Sequence, residues 1–155
     1  MTSSSSTSTN DILSNLYVEQ SQFVRTGALN IGGESTALKS SVIMNDNLIV
    51  QNGGNLTLQG ANLRMNVSSN GQYKIEVQGG GKMNILDCNG APSNITNGFA
   101  DANYLFQVNA GASFEMRNSE LHRCGYYSGY DNSSGIYIEA DDIVINNNTI
   151  SDNLS

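Results

Sequence analysis

Residues 104–124 read YLFQVNAGASFEMRNSELHRC, and residues 135–153 read GIYIEADDIVINNNTISDN. Each stretch opens with a short run in which apolar and other side chains alternate. Each breaks at a small or Asx/Gly-type residue and resumes with a second alternating run. An Asn follows two residues later, and then one more apolar anchor. Alternation with a period of two is the mark of a strand whose two faces meet different surroundings. Recurrence of the whole pattern raises the prospect of a repeat, which must be settled before any fold is assigned.

The pattern extends along the chain. Val50, Val77, Val108 and Ile138 form one column, at spacings of 27, 31 and 30 residues. Leu48, Ile75, Phe106 and Ile136 precede them by two. Three residues on stand Gly53, Gly80, Gly111 and Asp141, types that accept the positive φ of a tight corner. Apolar pairs come next: Leu56/Leu58, Met83/Ile85, Phe114/Met116 and Ile143/Ile145. Bend-tolerant Gly60, Asp87, Asn118 and Asn147 follow, then Leu63, Leu121 and Ile150, with Gly90 departing from the pattern in the third unit. An earlier, looser unit sets Thr36/Leu38, Ser40 and Ile43 20 positions ahead of Leu56/Leu58, Gly60 and Leu63.

Each unit therefore carries three short strands but too few apolar residues for its own core, so stacking must bury them together. Equivalent strands are joined by a whole circuit, and their pairing is then parallel. The expected fold is all-β, a right-handed single-stranded parallel β-helix of about five coils, its hand taken from the general crossover rule. An antiparallel sandwich is the rival for short strands with turn signals. It does not require the same corner type at the same offset in four successive units.

The stretches NLIVQNGGNLTLQGANLRMN (47–66), YKIEVQGGGKMNILD (73–87) and GIYIEADDIVINNNTI (135–150) resemble the right-handed parallel β-helix repeats of the pectate-lyase-like superfamily. They are most similar to Asn-rich repeats of archaeal and bacterial exported surface proteins, including relatives of the periplasmic protein NosD. The likeness covers about residues 28–152 and lies in core and corner positions, so it implies a fold more than an activity. Polysaccharide-cleaving members use clustered Asp residues on one strand face, for acid/base work or for calcium beside an Arg or Lys. Here the outward columns read Ile49, Glu76, Gln107, Tyr137 and Thr57, Asn84, Glu115, Val144. Neither supplies two adjacent carboxylates or an acid paired with a base. Asp141 falls in a corner with no acid stacked above it.

Residues 1–10 (MTSSSSTST and Asn10) read as a flexible Ser/Thr linker, and a start Met on such a linker suggests a segment cut from a longer precursor. Residues 11–27 are expected to cap the solenoid. One form is a helix N-capped by Asn10 or Asp11 with Ile12, Leu13, Leu16 and Tyr17 on one face; the other is a strand laid over the end. Residues 28–155 form the β-helix, expected to be truncated at its C-terminal end, where further coils or another copy would cover the open face.

The 155 residues suit one domain with a sizeable core. A formal net charge of −7 argues against nucleic-acid partners, and no apolar run is long enough to span a bilayer. The resemblance and the linker together imply an extracellular or cell-surface location.

Two stretches between the repeated strands are long, 89–103 and 125–134. Loops from one side of a solenoid often bind, and the second carries Tyr126, Tyr127 and Tyr130 beside Asp131 and Asn132. Tyrosines with amides and carboxylates suit sugars or a protein partner; alternatively they pack the loop onto the body. Cys88 and Cys124 each open a long stretch, and form either a disulfide across adjacent coils or two buried thiols. No zinc site and no cofactor are indicated; calcium at Asp131, Asp141 or Asp142 is the one metal considered. His122, the single histidine, has no nucleophile and carboxylate visibly assembled around it and reads as a surface residue. Asn118 and Asn147 are expected in left-handed corners, their amides bonding up and down the stack. Asn55, Asn66, Asn94, Asn132 and Asn147 begin N-x-[ST] triplets, and those at 94 and 132, in the long loops, are the expected acceptors of any glycan.

The function expected is a non-catalytic extracellular or cell-surface module with a structural or adhesive role, binding carbohydrate or a surface protein through side loops. Two alternatives stand beside it. One is a fragment of a polysaccharide lyase or glycoside hydrolase whose active site lies outside this segment. The other is a self-assembling surface-layer or filament subunit stacked end to end.

Overall fold

The computed structural model describes residues 4–6, 11–126, 129 and 133–153. The first strands are β1 (Ser4–Ser6), β2 (Asp11–Glu19), β3 (Gln22–Arg25), β4 (Leu29–Leu38), β5 (Ser41–Met44) and β6 (Leu48–Val50). The middle of the chain supplies β7 (Asn55–Gln59), β8 (Asn62–Met65), β9 (Lys74–Val77), β10 (Lys82–Leu86), β11 (Asn94–Asn97) and β12 (Leu105–Val108). The last are β13 (Ser113–Arg117), β14 (Glu120–His122), β15 (Ile136–Ile138), β16 (Asp142–Asn146) and β17 (Thr149–Ser151). Every pairing between these strands is parallel.

The strands stack in three columns. Side one holds residues 11–13 and 29–31, then β6, β9, β12 and β15. Side two holds residues 15–19 and 34–38, then β7, β10, β13 and β16. Side three is the seven-stranded sheet β1-β3-β5-β8-β11-β14-β17. The chain visits the sides in rotation, climbing one strand spacing of about 4.8 Å per circuit. This is an all-β parallel solenoid.

The register follows the apolar columns of the sequence. Val50, Val77, Val108 and Ile138 are successive Cα partners, and so are Leu58, Ile85, Met116 and Ile145. Their side chains meet in one interior. Leu63, Met65, Ile75, Ile85, Ile95 and Leu121 are wholly buried there, and Phe106 lies edge-on to Phe114 at 5.6 Å between ring centroids. Each rung supplies a few apolar side chains, and its neighbours seal them above and below.

Two expectations need correction. The early unit is offset from its neighbour by 21 residues, not 20: Ser35 pairs with Leu56, Ala37 with Leu58 and Val42 with Leu63. A one-residue slip exchanges the faces, so Ser35 and Ala37 point inward at 1% and 2% exposure while Thr36 and Leu38 turn out. The buried Ser35 hydroxyl oxygen accepts the Leu16 N–H at 3.1 Å, which makes a polar interior position tolerable.

The second correction concerns 89–103, which is not one loop. Ile95 of β11, not Gly90, fills the anchor position between Leu63 and Leu121. Residues 88–91 are pinched off as a tight turn: the Cys88 N–H donates to the Ala91 carbonyl at 2.8 Å, and the reverse bond is 3.1 Å. Asn89 and Gly90 have φ of 53° and 83°, the two left-handed residues of a type I′ connection. The insertion closes on itself, and the chain re-enters side three in register.

At the start of the solenoid, Asp11–Glu19 takes the strand form and not the helical one, pairing with β4 across a register shift between Leu13 and Asn15. At the far end, Ile143, Ile145 and Ile150 occupy inward positions yet are 39%, 44% and 41% exposed. Their partners one rung back, Phe114, Met116 and Leu121, are at most 1% exposed.

Candidate functional site

The corner between sides two and three gathers the most polar chemistry. Its first residue is Gln20, Lys39, Gly60, Asp87, Asn118 or Asn147 in successive rungs; all but Asp87 have a left-handed φ. Asn tolerates that conformation better than most residues because its short amide finds local partners. Here the partners lie along the stack. Asn147 Nδ2 donates to Asn118 Oδ1 at 2.8 Å, and Asn118 Nδ2 donates to Asp87 Oδ1 at 2.9 Å. The Asn118 amide, with the Gly90 N–H on Oδ2 at 3.0 Å, holds the Asp87 carboxyl below the usual carboxylate range.

Beneath this row lies a buried row of hydroxyls. Ser40, Ser93 and Ser119 donate to the carbonyls of Leu38, Leu86 and Arg117 at 2.8, 2.7 and 2.8 Å. The bonds satisfy backbone oxygens where the chain leaves side two, and fix the corner's shape. The 88–91 turn stands across the corner as a wall. A depression on one side is lined by Lys39, Ser41, Gly60, Asn62 and Ala91. On the other, Gly90, Pro92, Asn118, Glu120, Asn147 and Thr149 line a second. The first carries a cation, the second a carboxylate.

On the adjoining outer face of side three stands a cluster that the sequence did not announce. His122 Nδ1 lies 2.8 Å from Ser151 Oγ, and His122 Nε2 lies 3.3 Å from Glu120 Oε2. Glu120 and His122 are alternate residues of one strand, and Ser151 is the rung partner of His122. The 29-residue offset that relates Leu121 to Ile150 also relates these polar positions, and was the one signal available.

Other expected residues fall as follows. Tyr126 is half-buried with its ring against Gly71, where an added Cβ would lie 2.2 Å from Tyr126 Cε1. Tyr127, Tyr130, Asp131 and Asn132 lie outside the described residues. Cys88 and Cys124 are separate buried thiols, because Cys88 belongs to the corner after side two and Cys124 to the loop after side three. Burial pushes the Cys124 thiol up to about 12, which keeps it protonated and unreactive. Asp141 and Asp142 are exposed at the corner between sides one and two, beside Gly80, Gly111 and Lys82. Among the described residues no three His, Cys, Asp or Glu side chains converge as a metal site would need.

The outward columns are partnered. Glu76 meets Lys74 at 2.7 Å and Asn109 at 2.9 Å, and Asn84 donates to Asn55 and Thr57. Asn94, expected in a loop, sits in β11, and its Oδ1 is buried without a hydrogen bond. The amides of Asn55, Asn66 and Asn147 are engaged with Glu34, Asn45 and Asn118. No helix of the described residues is long and apolar enough to cross a membrane. Compared with family models, with curated proteins and with solved structures, the chain matches none.

Proposed function

We propose that this chain is a module of an extracellular or cell-surface protein, a β-helix of the pectate-lyase-like kind akin to Asn-rich exported repeats. It serves a structural or adhesive role and grips carbohydrate along the corner between sides two and three. The observation that carries this reading is the row Asp87–Asn118–Asn147 beside Glu120 and Thr149. Sugar hydroxyls both donate and accept, and a line of amides and carboxylates answers both needs. A row that repeats at the strand spacing suits a polymer that repeats as well. The carboxylates and the net charge of −7 favour neutral glycans over polyuronates.

Glycan-array screening followed by calorimetry tests the reading. Asn118→Ala combined with Asn147→Ala should weaken binding about tenfold or more, while a separate variant with Tyr126, Tyr127 and Tyr130 changed to Ala probes the loop. Binding untouched by the Asn changes would remove the corner from the function.

A second reading, self-assembly through the last described rung, has its own support in the exposure of Ile143, Ile145 and Ile150. A second copy on that face would bury them. Sedimentation that depends on concentration, and loses that dependence in Ile145→Asp, is the expected signature.

A further inference from the structure

We propose that Glu120, His122 and Ser151 form a serine-hydrolase arrangement that removes short acyl esters; that the esters are borne by sugars rests on the carbohydrate reading above. Three observations converge. The Ser151 hydroxyl is 2.8 Å from His122 Nδ1, inside the reach a general base needs. Glu120 Oε2 stands 3.3 Å from the other ring nitrogen. A carboxylate there holds the proton on Nε2 and leaves the Nδ1 lone pair for the serine, the orienting role an acid plays beside a catalytic histidine. Glu120 also lines the corner depression with Thr149, which precedes Ser151 by two residues on the same strand, about 7 Å along it. A sugar in that depression would hold an O-acyl group beside the nucleophile.

The chemistry balances without a further reactant but water. Ser151 Oγ attacks the ester carbonyl carbon as His122 Nδ1 takes its proton. The tetrahedral adduct collapses, the C–O bond to the sugar breaks, and Nδ1 returns the proton to the departing sugar oxygen. Water, deprotonated by Nδ1, then attacks the acyl-serine, releasing the carboxylic acid and restoring the Ser151 hydroxyl. Ser151 and His122 are the catalytic residues, and Glu120 is a positioning residue. The alternative is that the Ser151–His122 bond only ties two rungs together.

The 155-residue chain is assayed with p-nitrophenyl acetate and labelled with a fluorophosphonate probe. Hydrolysis should saturate, the probe should map to Ser151, and Ser151→Ala and His122→Asn should each cut kcat about 10²-fold or more. Glu120→Gln should lower kcat at unchanged KM, with partial recovery in Glu120→Asp. Thermal unfolding of Ser151→Ala checks that the fold survives. Wild-type rates in Ser151→Ala, or probe attached elsewhere or nowhere, would overturn the assignment. Retained ester hydrolysis in a chain that binds no glycan would sink the carbohydrate reading and leave the hydrolase centre standing.

Discussion

The early and the late rungs build one interior with different lengths of chain. On side two the path from rung to rung takes 19 residues from Tyr17 to Thr36 and 21 from there to Thr57. It then takes 27 to Asn84, 31 to Glu115 and 29 to Val144. Inward positions are equivalent throughout. Early on, β4 passes from side one to side two without leaving the sheet. Later rungs spend their added residues on corners and loops; the amide row and the 88–91 turn sit there, and the His122 cluster lies on the outer face of side three next to them. Stacking fixes the interior, so variation is confined to the rim, and chemistry collects where variation is allowed.

Truncations along one inward column test that contrast hardest. Phe114→Ala should cost about 3–5 kcal/mol in urea unfolding. Ile143→Ala, its partner on the last described rung, should cost about 1 kcal/mol, since much of that side chain is already wet. Equal costs would mean the last rung is covered in solution. Glycine corners come next. A Cβ at Gly54 would lie 2.1 Å from the Ile31 carbonyl oxygen, backbone against backbone, so Gly54→Ala should cost near the top of about 1–3 kcal/mol. At Gly111 there is space, and only its φ of +76° opposes a side chain, at about 1–2 kcal/mol. Thermal unfolding that ranks them in reverse would deny the Gly54 corner its tighter backbone contact.

Smaller effects belong to the left-handed corner. Asn118→Ala loses two side-chain bonds and an αL-tolerant residue, for about 1–2 kcal/mol. Lys39→Gly, at the early equivalent with φ 47°, should gain about 0.5–1 kcal/mol. The smallest is a pH effect peculiar to the late corner. The Asp87 carboxyl is held below its unfolded range, so its contribution is whole above about pH 4 and is lost as pH falls through the folded value. Urea midpoints of wild type and Asp87→Asn should therefore converge between about pH 4 and pH 2. Curves that keep their separation would assign the acid response elsewhere.

What was legible followed from the same division. The columns from Val50 to Ile138 could be read because apolar interior and bend-tolerant corner residues recur together. Asn118 and Asn147 could be read because few residue types accept their backbone. Ile95 was hidden by five inserted residues: Ile85 and Ile95 are ten apart, whereas Leu58 and Leu63 are five. The Asn89–Gly90 dipeptide, a strong hairpin signal, marked that insertion. The first unit slipped by one because Ser35 and Ala37 leave almost no hydrophobic trace of an inward strand. His122 and Ser151 lay on the outer face, where no apolar pattern ties one rung to the next, and only the register joined them.

The 88–91 turn has a practical consequence. Its two backbone bonds close the chain beneath Asn89 and Gly90, so a peptide spliced between them would hang from a closed neck and give up, at most, the Gly90 N–H bond to Asp87. An epitope or a label grafted there would project beside the amide row, turning the module into a rigid display post and a reporter on whatever settles in the adjacent depressions.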